Sequence, residues 1–268
     1  MYLSLFLSIL NSIYSWSGSE FTGLERSSNK LTESNQMVIT QAIKNKVQGR
    51  DEEILRQRAI AQGYRLDDVE IDPQDPDRET YLYRVSIEDP NASQVDFCSP
   101  DGDGVAKAML LSGIWDETGQ HINSDRITVA CTSGVLAKCV RWGYKPWKQI
   151  AGISLQDYHQ ACTRMARADY CGNGISHTQD GTLIDVYDRL RIQQPDEDSS
   201  LAFEAAWGVD GALLLNHTRY GDLKRLKQEC PAKLRQIYSG NESFGEIEVR
   251  KQIPGALIFN KSLPNYRS

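Results

Sequence analysis

The chain has 268 residues, of which 40% are apolar and 25% charged, and this composition is typical of a globular protein with a sizeable core. Its 30 basic and 36 acidic residues give a net charge of −6, and the basic residues are scattered, so we predict no nucleic-acid partner. No apolar run reaches the roughly 20 residues of a membrane-spanning helix, so we predict no transmembrane segment.

The first 17 residues have the pattern of an export signal. The apolar run MYLSLFLSIL has about the length of a signal-peptide core, and Ser15 and Ser17 supply small residues for cleavage after Ser17. No Lys or Arg precedes this run, although a signal peptide normally begins with positive charge, and a short buried strand or helix is the alternative. We predict that residues 1–17 are a signal peptide and that the protein is secreted or periplasmic.

The segment up to residue 131 predicts a sheet. Residues 18–57 are polar and mixed, with a helix predicted at Asp51–Ala61. Near-alternating apolar residues beyond them predict two hairpins, the first closed by the loop DPQDPD. The predicted strands are Met37–Ile43, Leu66–Ile71, Tyr81–Ile87, Met109–Trp115 and Arg126–Cys131.

Helices follow this sheet. The pattern predicts one at Gly134–Trp142, which Gly143 ends, and one at Ser154–Ala168, which the turn CGNG ends. The Asp-Gly pair in GVDG predicts a further hairpin. The later predicted elements are strands at Ala202–Ala206 and Gly211–Thr218 and a helix at Asp222–Tyr238. We predict an α+β fold, an antiparallel sheet with two or three packed helices, stabilised by disulfides.

Six cysteines follow the export pattern, and their even number favours disulfides over free thiols. Fifteen connectivities are open, and a bridge between Cys139 and Cys162 would join the two predicted helices. No CxxC or HxxxH pair indicates zinc, whereas buried free thiols in a cytosolic protein are the alternative. The disulfide candidates are Cys98, Cys131, Cys139, Cys162, Cys171 and Cys230.

Four strings between Val69 and Pro231 carry a resemblance to a known family: CVRWGYKPW, HQACTRMARADYCGNGISHT, DGTLIDVYD and FEAAWGVDGALLLNHTRY. They resemble the bacterial ADYC-domain family, which takes its name from the residues that stand here at Ala168–Cys171. The resemblance implies an exported protein with a single domain and assigns no activity. We expect an ADYC-like domain at residues 58–238 and a C-terminal tail at 239–268.

Two kinds of catalytic site are conceivable. Cys131, at a predicted strand-to-helix junction, could be a nucleophile with His159 or His177 as its base, or it could be half of a disulfide. Acid–base hydrolysis could use a His/Asp cluster, although such residues in a Gly-rich loop more often cap helices and turns. The acid–base candidates are His159, Asp169, His177 and Asp185, with Asp188 nearby in sequence.

Binding could use aromatic residues of the CVRWGYKPW string. Trp142, Tyr144 and Trp147 could contact a sugar or an extended peptide, and their alternative role is to cover the core beneath a loop.

Two acidic loops carry carboxylates that suit calcium, but neither continues into an EF-hand pattern, and solvated turns are the alternative. The acidic residues are Asp72, Asp75, Asp77, Asp101 and Asp103. We therefore predict neither a metal nor a cofactor.

Since no motif meets the geometry of a known catalytic class, we predict an exported, non-catalytic envelope or extracellular binding domain. The alternative is an extracellular hydrolase that uses the His/Asp cluster. The sequence does not decide whether the protein is an enzyme, and it names no partner.

Overall fold

The computed structural model describes residues 51–89, 92–179, 181–196, 200–220, 223–231, 238–239 and 253–264. The helices in these ranges are α1 (Glu52–Ala61), α2 (Val135–Arg141), α3 (Gln156–Arg167) and α4 (Leu223–Glu229). The strands in these ranges are β1 (Arg65–Ile71), β2 (Tyr81–Asp89), β3 (Ala92–Asp96), β4 (Ala108–Trp115), β5 (His121–Cys131), β6 (Gln149–Ile150), β7 (Ile153–Ser154), β8 (Ile184–Asp188), β9 (Ala202–Gly208), β10 (Gly211–Leu215), β11 (Tyr238–Ser239) and β12 (Ile258–Ser262).

The first sheet has five strands. Strands β1, β2, β4 and β5 lie side by side, β3 also pairs with β2, and all the pairings are antiparallel. Helix α1 packs on one face through Leu55 and Ala59, whereas α2 and α3 share a core with the other face. Because helices cover both faces, the first four residues of β4 are all buried, and its sequence lacks the usual alternation.

The second sheet also has five strands, in the order β11, β10, β9, β12, β8. Its pairings are antiparallel except for β10 with β11. Helix α3 packs on one face, so that α2 and α3 form a layer between the two sheets. Met165 of α3 and Trp207 of β9, both fully buried, belong to this shared core.

The protein contains three disulfides, and no cysteine is free. The bridge between α2 and α3 is fully buried. The other two join the segment after β3 to the end of β5, and the turn after α3 to the end of α4. The bonded pairs are Cys139–Cys162, Cys98–Cys131 and Cys171–Cys230.

The predicted fold class is confirmed, since antiparallel sheets, helices and disulfides are all present. The prediction that the sheet lies before residue 131 is incomplete, because a second sheet follows it. Strand β12 lies within residues 239–268, where the pattern predicts no element. Its sequence, IFNKS, buries Asn260 and Ser262, and these polar residues hide the apolar alternation of a strand.

The predicted signal peptide and the predicted strand Met37–Ile43 lie outside the described residues. No helix in the described ranges is long and apolar enough to cross a membrane.

Candidate functional site

The string Ala-Asp-Tyr-Cys forms the junction between α3 and the second sheet. Ala168 adopts a left-handed conformation, with φ 51° and ψ 41°, and this conformation ends α3. Since residues with a Cβ seldom adopt it, tertiary contacts must hold the turn in place. The next three residues supply those contacts.

Asp169 closes the turn that follows α3. Its carboxylate is fully buried and accepts hydrogen bonds from the N–H groups of Asn173 (3.1 Å) and Gly174 (2.9 Å). The Arg164 guanidinium lies 2.6 Å from the same carboxylate and balances its charge. Aspartate suits this position, because its short side chain reaches backbone groups a few residues further along. Asp169 is therefore a capping residue of a buried turn.

Tyr170 enters a buried cluster, called here the Glu204 cluster: Tyr170, Glu204, Trp207, Arg219 and Asn260. The Tyr170 hydroxyl donates to the Glu204 carboxylate at 3.0 Å, and Arg219 Nε donates to the same carboxylate at 2.8 Å. Asn260 joins them by donating to Glu204 and accepting from the indole of Trp207. Burial and the neighbouring Glu204 carboxylate hold the pKa of Tyr170 well above its ordinary value. The cluster thus ties α3 to β9 and β12.

Cys171 and Gly172 bring this turn against the hairpin between β9 and β10. Gly172 has φ +69°, and a Cβ there would lie 2.0 Å from the carbonyl oxygen of Asp210, so only glycine fits. Cys171 fixes the other side of the turn through its bond to Cys230. Each of the four residues Ala168–Cys171 therefore has a structural role in this junction.

His159, an acid–base candidate, lies in the core between α3 and the first sheet. Its ring is fully buried and contacts the indole of Trp115. Nε2 lies 3.1 Å from the Leu136 carbonyl and donates to it, whereas Nδ1 has no hydrogen-bond partner among the described residues. Burial lowers the pKa of His159 to about 4, so the imidazole is neutral at pH 7.

We expect stability to fall on acidification because of His159. Its pKa is about 6.5 in the unfolded chain and about 4 in the folded protein, so the unfolded state binds more protons between these values. Above pH 6.5, neutral His159 makes its full contribution to the free energy of unfolding. As the pH falls to 4, about 3 kcal/mol of that free energy should be lost. Urea unfolding across this range measures it. His159→Leu should show a flatter profile than the wild type, and equal slopes would contradict the assignment.

His177 and Asp169 lie at the same end of α3, but different partners hold them. His177 Nδ1 lies 3.2 Å from the Ala168 carbonyl, and Nε2 lies 2.9 Å from the Glu229 carboxylate of α4. Asp185 lies on β8, where its carboxylate accepts from the Asp196 N–H group at 3.1 Å and faces Lys261 at 3.3 Å. Burial raises the pKa of Asp185. No recorded contact joins any two of the four acid–base candidates in the described part of the chain.

A groove of about 1150 Å³ opens on the surface of the protein. The loop 72–80 and helix α2 form one side, the start of the β6–β7 hairpin forms a second, and residues 178–196 form a third. Asp185 and Trp142 line it. Ile150 and Leu183 also line it, and their side chains are 38% and 50% exposed, respectively.

The aromatic binding candidates differ in their exposure. Trp142 is half-buried and lines the groove. Tyr144 is fully buried, and its hydroxyl donates to Asp188 at 3.0 Å. Trp147 is half-buried and packs against the main core. Of the three, Trp142 is the one whose position allows contact with a molecule in the groove.

The acidic loops are neutralised by the basic residues of the CVRWGYKPW string. Lys145 Nζ lies within 2.9 Å of carboxylate oxygens of Asp75, Asp77 and Glu79. Although burial alone would raise it, hydrogen bonds from Lys145 and Thr80 lower the pKa of Asp75 to about 2.

Arg141 similarly binds Asp72 (2.8 Å) and Asp101 (3.0 Å). No group of three or more His, Cys, Asp or Glu residues in the described ranges is arranged to hold a metal ion. These loops are thus held by ion pairs.

Sequence reasoning missed Glu204, Arg219 and Asn260, which form the centre of the Glu204 cluster. One signal was available: Glu204 is the single charged residue in the predicted strand AFEAA, and a carboxylate buried there requires a cation. The cation comes from Arg219, fifteen positions along the chain, and no local pattern identifies it.

Comparison with known families gives one match. The ADYC-domain family model matches residues 35–221, which is more than half of the chain. No curated protein and no solved structure matches the chain. The matched range contains α3, the turn after it and the residues of the Glu204 cluster up to Arg219. The chain therefore belongs to the ADYC-domain family.

Proposed function

We propose that this protein is an exported bacterial domain that works outside the cytoplasm. The three disulfides support this proposal, because such bonds form and persist in oxidising compartments. The apolar run at residues 1–10 supports it independently, since it suits an export signal.

We further propose that the protein binds a partner and does not catalyse a reaction. The observation that carries this proposal is the groove, which is large enough to hold a ligand and contains exposed apolar side chains. Three of the acid–base candidates, His159, Asp169 and His177, contribute to the structural contacts around α3 instead. Asp185 alone among the four lines the groove, and nothing favours hydrolysis over binding.

A charged side chain at the groove should weaken binding. Leu183→Glu places a carboxylate on the apolar wall, where a bound ligand would have to desolvate it, so we expect affinity to fall at least about tenfold. Leu263→Glu is the control, because Leu263 is also exposed (61%, against 50% for Leu183) but lies outside the groove lining. Calorimetric titration with ligands found in a screen of peptides and oligosaccharides measures both variants.

Two results would contradict the proposal. Ligands whose affinity is unchanged in Leu183→Glu would locate binding elsewhere on the protein. If the wild-type protein hydrolyses a bound ligand and Asp185→Asn does not, the protein is a hydrolase and not a binding domain.

A further inference from the structure

Strand β8 forms one edge of the second sheet, since it pairs with β12 on one side and with no other strand among the described residues. Three consecutive residues of β8, Ile184, Asp185 and Val186, line the groove. Successive side chains of a strand point to opposite faces of a sheet. Ile184 and Val186 accordingly pack on the main core, whereas Asp185 pairs with Lys261 of β12. The groove therefore follows the backbone edge of the strand.

The register shows which backbone groups point into the groove. Arg189 N–H donates to Leu257, on the β12 side, whereas Asp188 N–H donates to Gln193, on the opposite side. The backbone N–H groups of an antiparallel strand point alternately to its two sides. The N–H groups of Val186 and Ile184 therefore point to the same side as that of Asp188. No hydrogen bond from a described residue is recorded at this edge for either of them. Gln193 occupies this edge at Asp188, whereas the N–H and C=O groups of Ile184 and Val186 remain to be offered to another chain.

The side chains around this edge favour an uncharged occupant. None of the charged residues that line the groove is free of an interaction, and most are in ion pairs, as Arg141 is with Asp72 and Lys145 with Asp75. An acidic or basic ligand would therefore have no unpaired charge to meet. Ile150 and Leu183, from two different segments of the lining, remain exposed and provide apolar contacts. The volume of the groove lies slightly above the usual range for small-molecule sites, and this size suits a ligand as long as a peptide segment.

We propose that the groove binds an extended, uncharged polypeptide segment that adds a strand to the sheet along β8. Backbone hydrogen bonds to Val186 and Ile184 provide affinity, and contacts of alternate side chains with Ile150 and Leu183 provide selectivity. This inference rests on the proposed binding function and names the chemical class of its ligand.

The test removes one backbone donor at the edge. Val186→Pro lacks the N–H group that points into the groove but leaves the bonds of Tyr187 and Asp185 to β12 in place. Val186→Ala is the matched control, because it shortens the side chain and keeps the donor. The probes are heptapeptides enriched on the full-length chain from a random phage-displayed library and then synthesised. We expect Val186→Pro to weaken their binding about tenfold or more and Val186→Ala to change it less than about threefold.

A second measurement does not depend on the folding of the variant. N-methyl groups at alternate positions of the same heptapeptides remove the N–H donors along one edge of the peptide strand, and the two possible sets of alternate positions block opposite edges. Only the set that blocks the edge facing β8 should lose binding to the wild-type chain. Equal binding of both sets, or equal affinity for Val186→Pro and Val186→Ala, would overturn strand addition.

The remaining outcomes separate this inference from the proposed function. If no peptide is enriched but an oligosaccharide binds and protects the groove from hydrogen exchange, strand addition is wrong and the binding function stands. If neither class of probe protects the groove, both proposals fail. Concentration-dependent dimerisation that Val186→Pro abolishes would identify the occupant as a second copy of this chain and would also overturn the proposal.

Discussion

Glu204→Ala is expected to destabilise the protein by about 3–5 kcal/mol, which is a large fraction of the roughly 5–15 kcal/mol that stabilises a typical domain. The Glu204 carboxylate is fully buried and accepts hydrogen bonds from Arg219, Tyr170 and Asn260. Its removal leaves the buried Arg219 guanidinium without a counter-charge and two further donors without their acceptor. Urea unfolding at pH 7 with the disulfides intact measures the loss.

Two controls test this explanation. Arg84→Ala removes an ion pair with Asp96 at the surface of the first sheet, where both side chains are about half exposed, and should leave the unfolding midpoint close to that of the wild type. The double variant Glu204→Leu/Arg219→Met replaces both charges and should be less destabilised than Glu204→Ala. If Glu204→Ala unfolds at the wild-type midpoint, the cluster does not stabilise the fold as described.

Loss of the buried bridge between α2 and α3 is expected to cost about 3 kcal/mol. The bond between Cys139 and Cys162 closes a loop across 23 residues, and opening it increases the conformational freedom of the unfolded chain. Thermal unfolding of Cys139→Ala/Cys162→Ala measures this cost. Cys171→Ala/Cys230→Ala is the matched comparison, because that bridge closes a loop across 59 residues but is only half-buried.

Full reduction should lower the melting temperature by many degrees, since each lost native bridge costs about 2–5 kcal/mol. Intact mass after alkylation must first show that all six thiols are free in the reduced sample and none in the untreated one. An unchanged melting curve in a sample with six alkylated thiols would contradict the stabilising role of the bridges. A free Cys131 in the untreated protein would return the cysteine nucleophile to consideration.

The candidate site was only partly predictable, for a physical reason. Polar residues cluster around a turn in this part of the sequence, and among them are His159, Asp169 and His177. Such residues can cap a turn or act as acids and bases in an active site, and the sequence pattern is the same in both cases. Their partners are a carbonyl in α2, an arginine in α3 and a glutamate in α4. Only these contacts distinguish the two roles, and they join segments that lie up to 52 residues apart.

The groove was not predictable from any local pattern. Its walls come from the loop 72–80, helix α2 and residues 178–196, which are far apart in the sequence and meet only in the folded chain. Trp142 was singled out as a binding residue, but Ile150 and Leu183 were not, because an exposed apolar residue looks the same in sequence as a buried one.

The sequence by itself determined the class of fold, the presence of disulfides and the bounds of most elements up to β5 and of α2 and α3. Those features depend on local periodicity, on capping residues and on the number of cysteines, all of which lie within short windows. The sequence also predicted the hairpin of β9 and β10. Only the tertiary structure decided the rest of the second sheet, because β12 carries buried polar residues whose partners are Glu204 and Trp207 of β9. It also decided that β8 lies at the edge of this sheet. A strand is an edge strand when another strand pairs with it on one side only, and that pairing exists only in the folded chain.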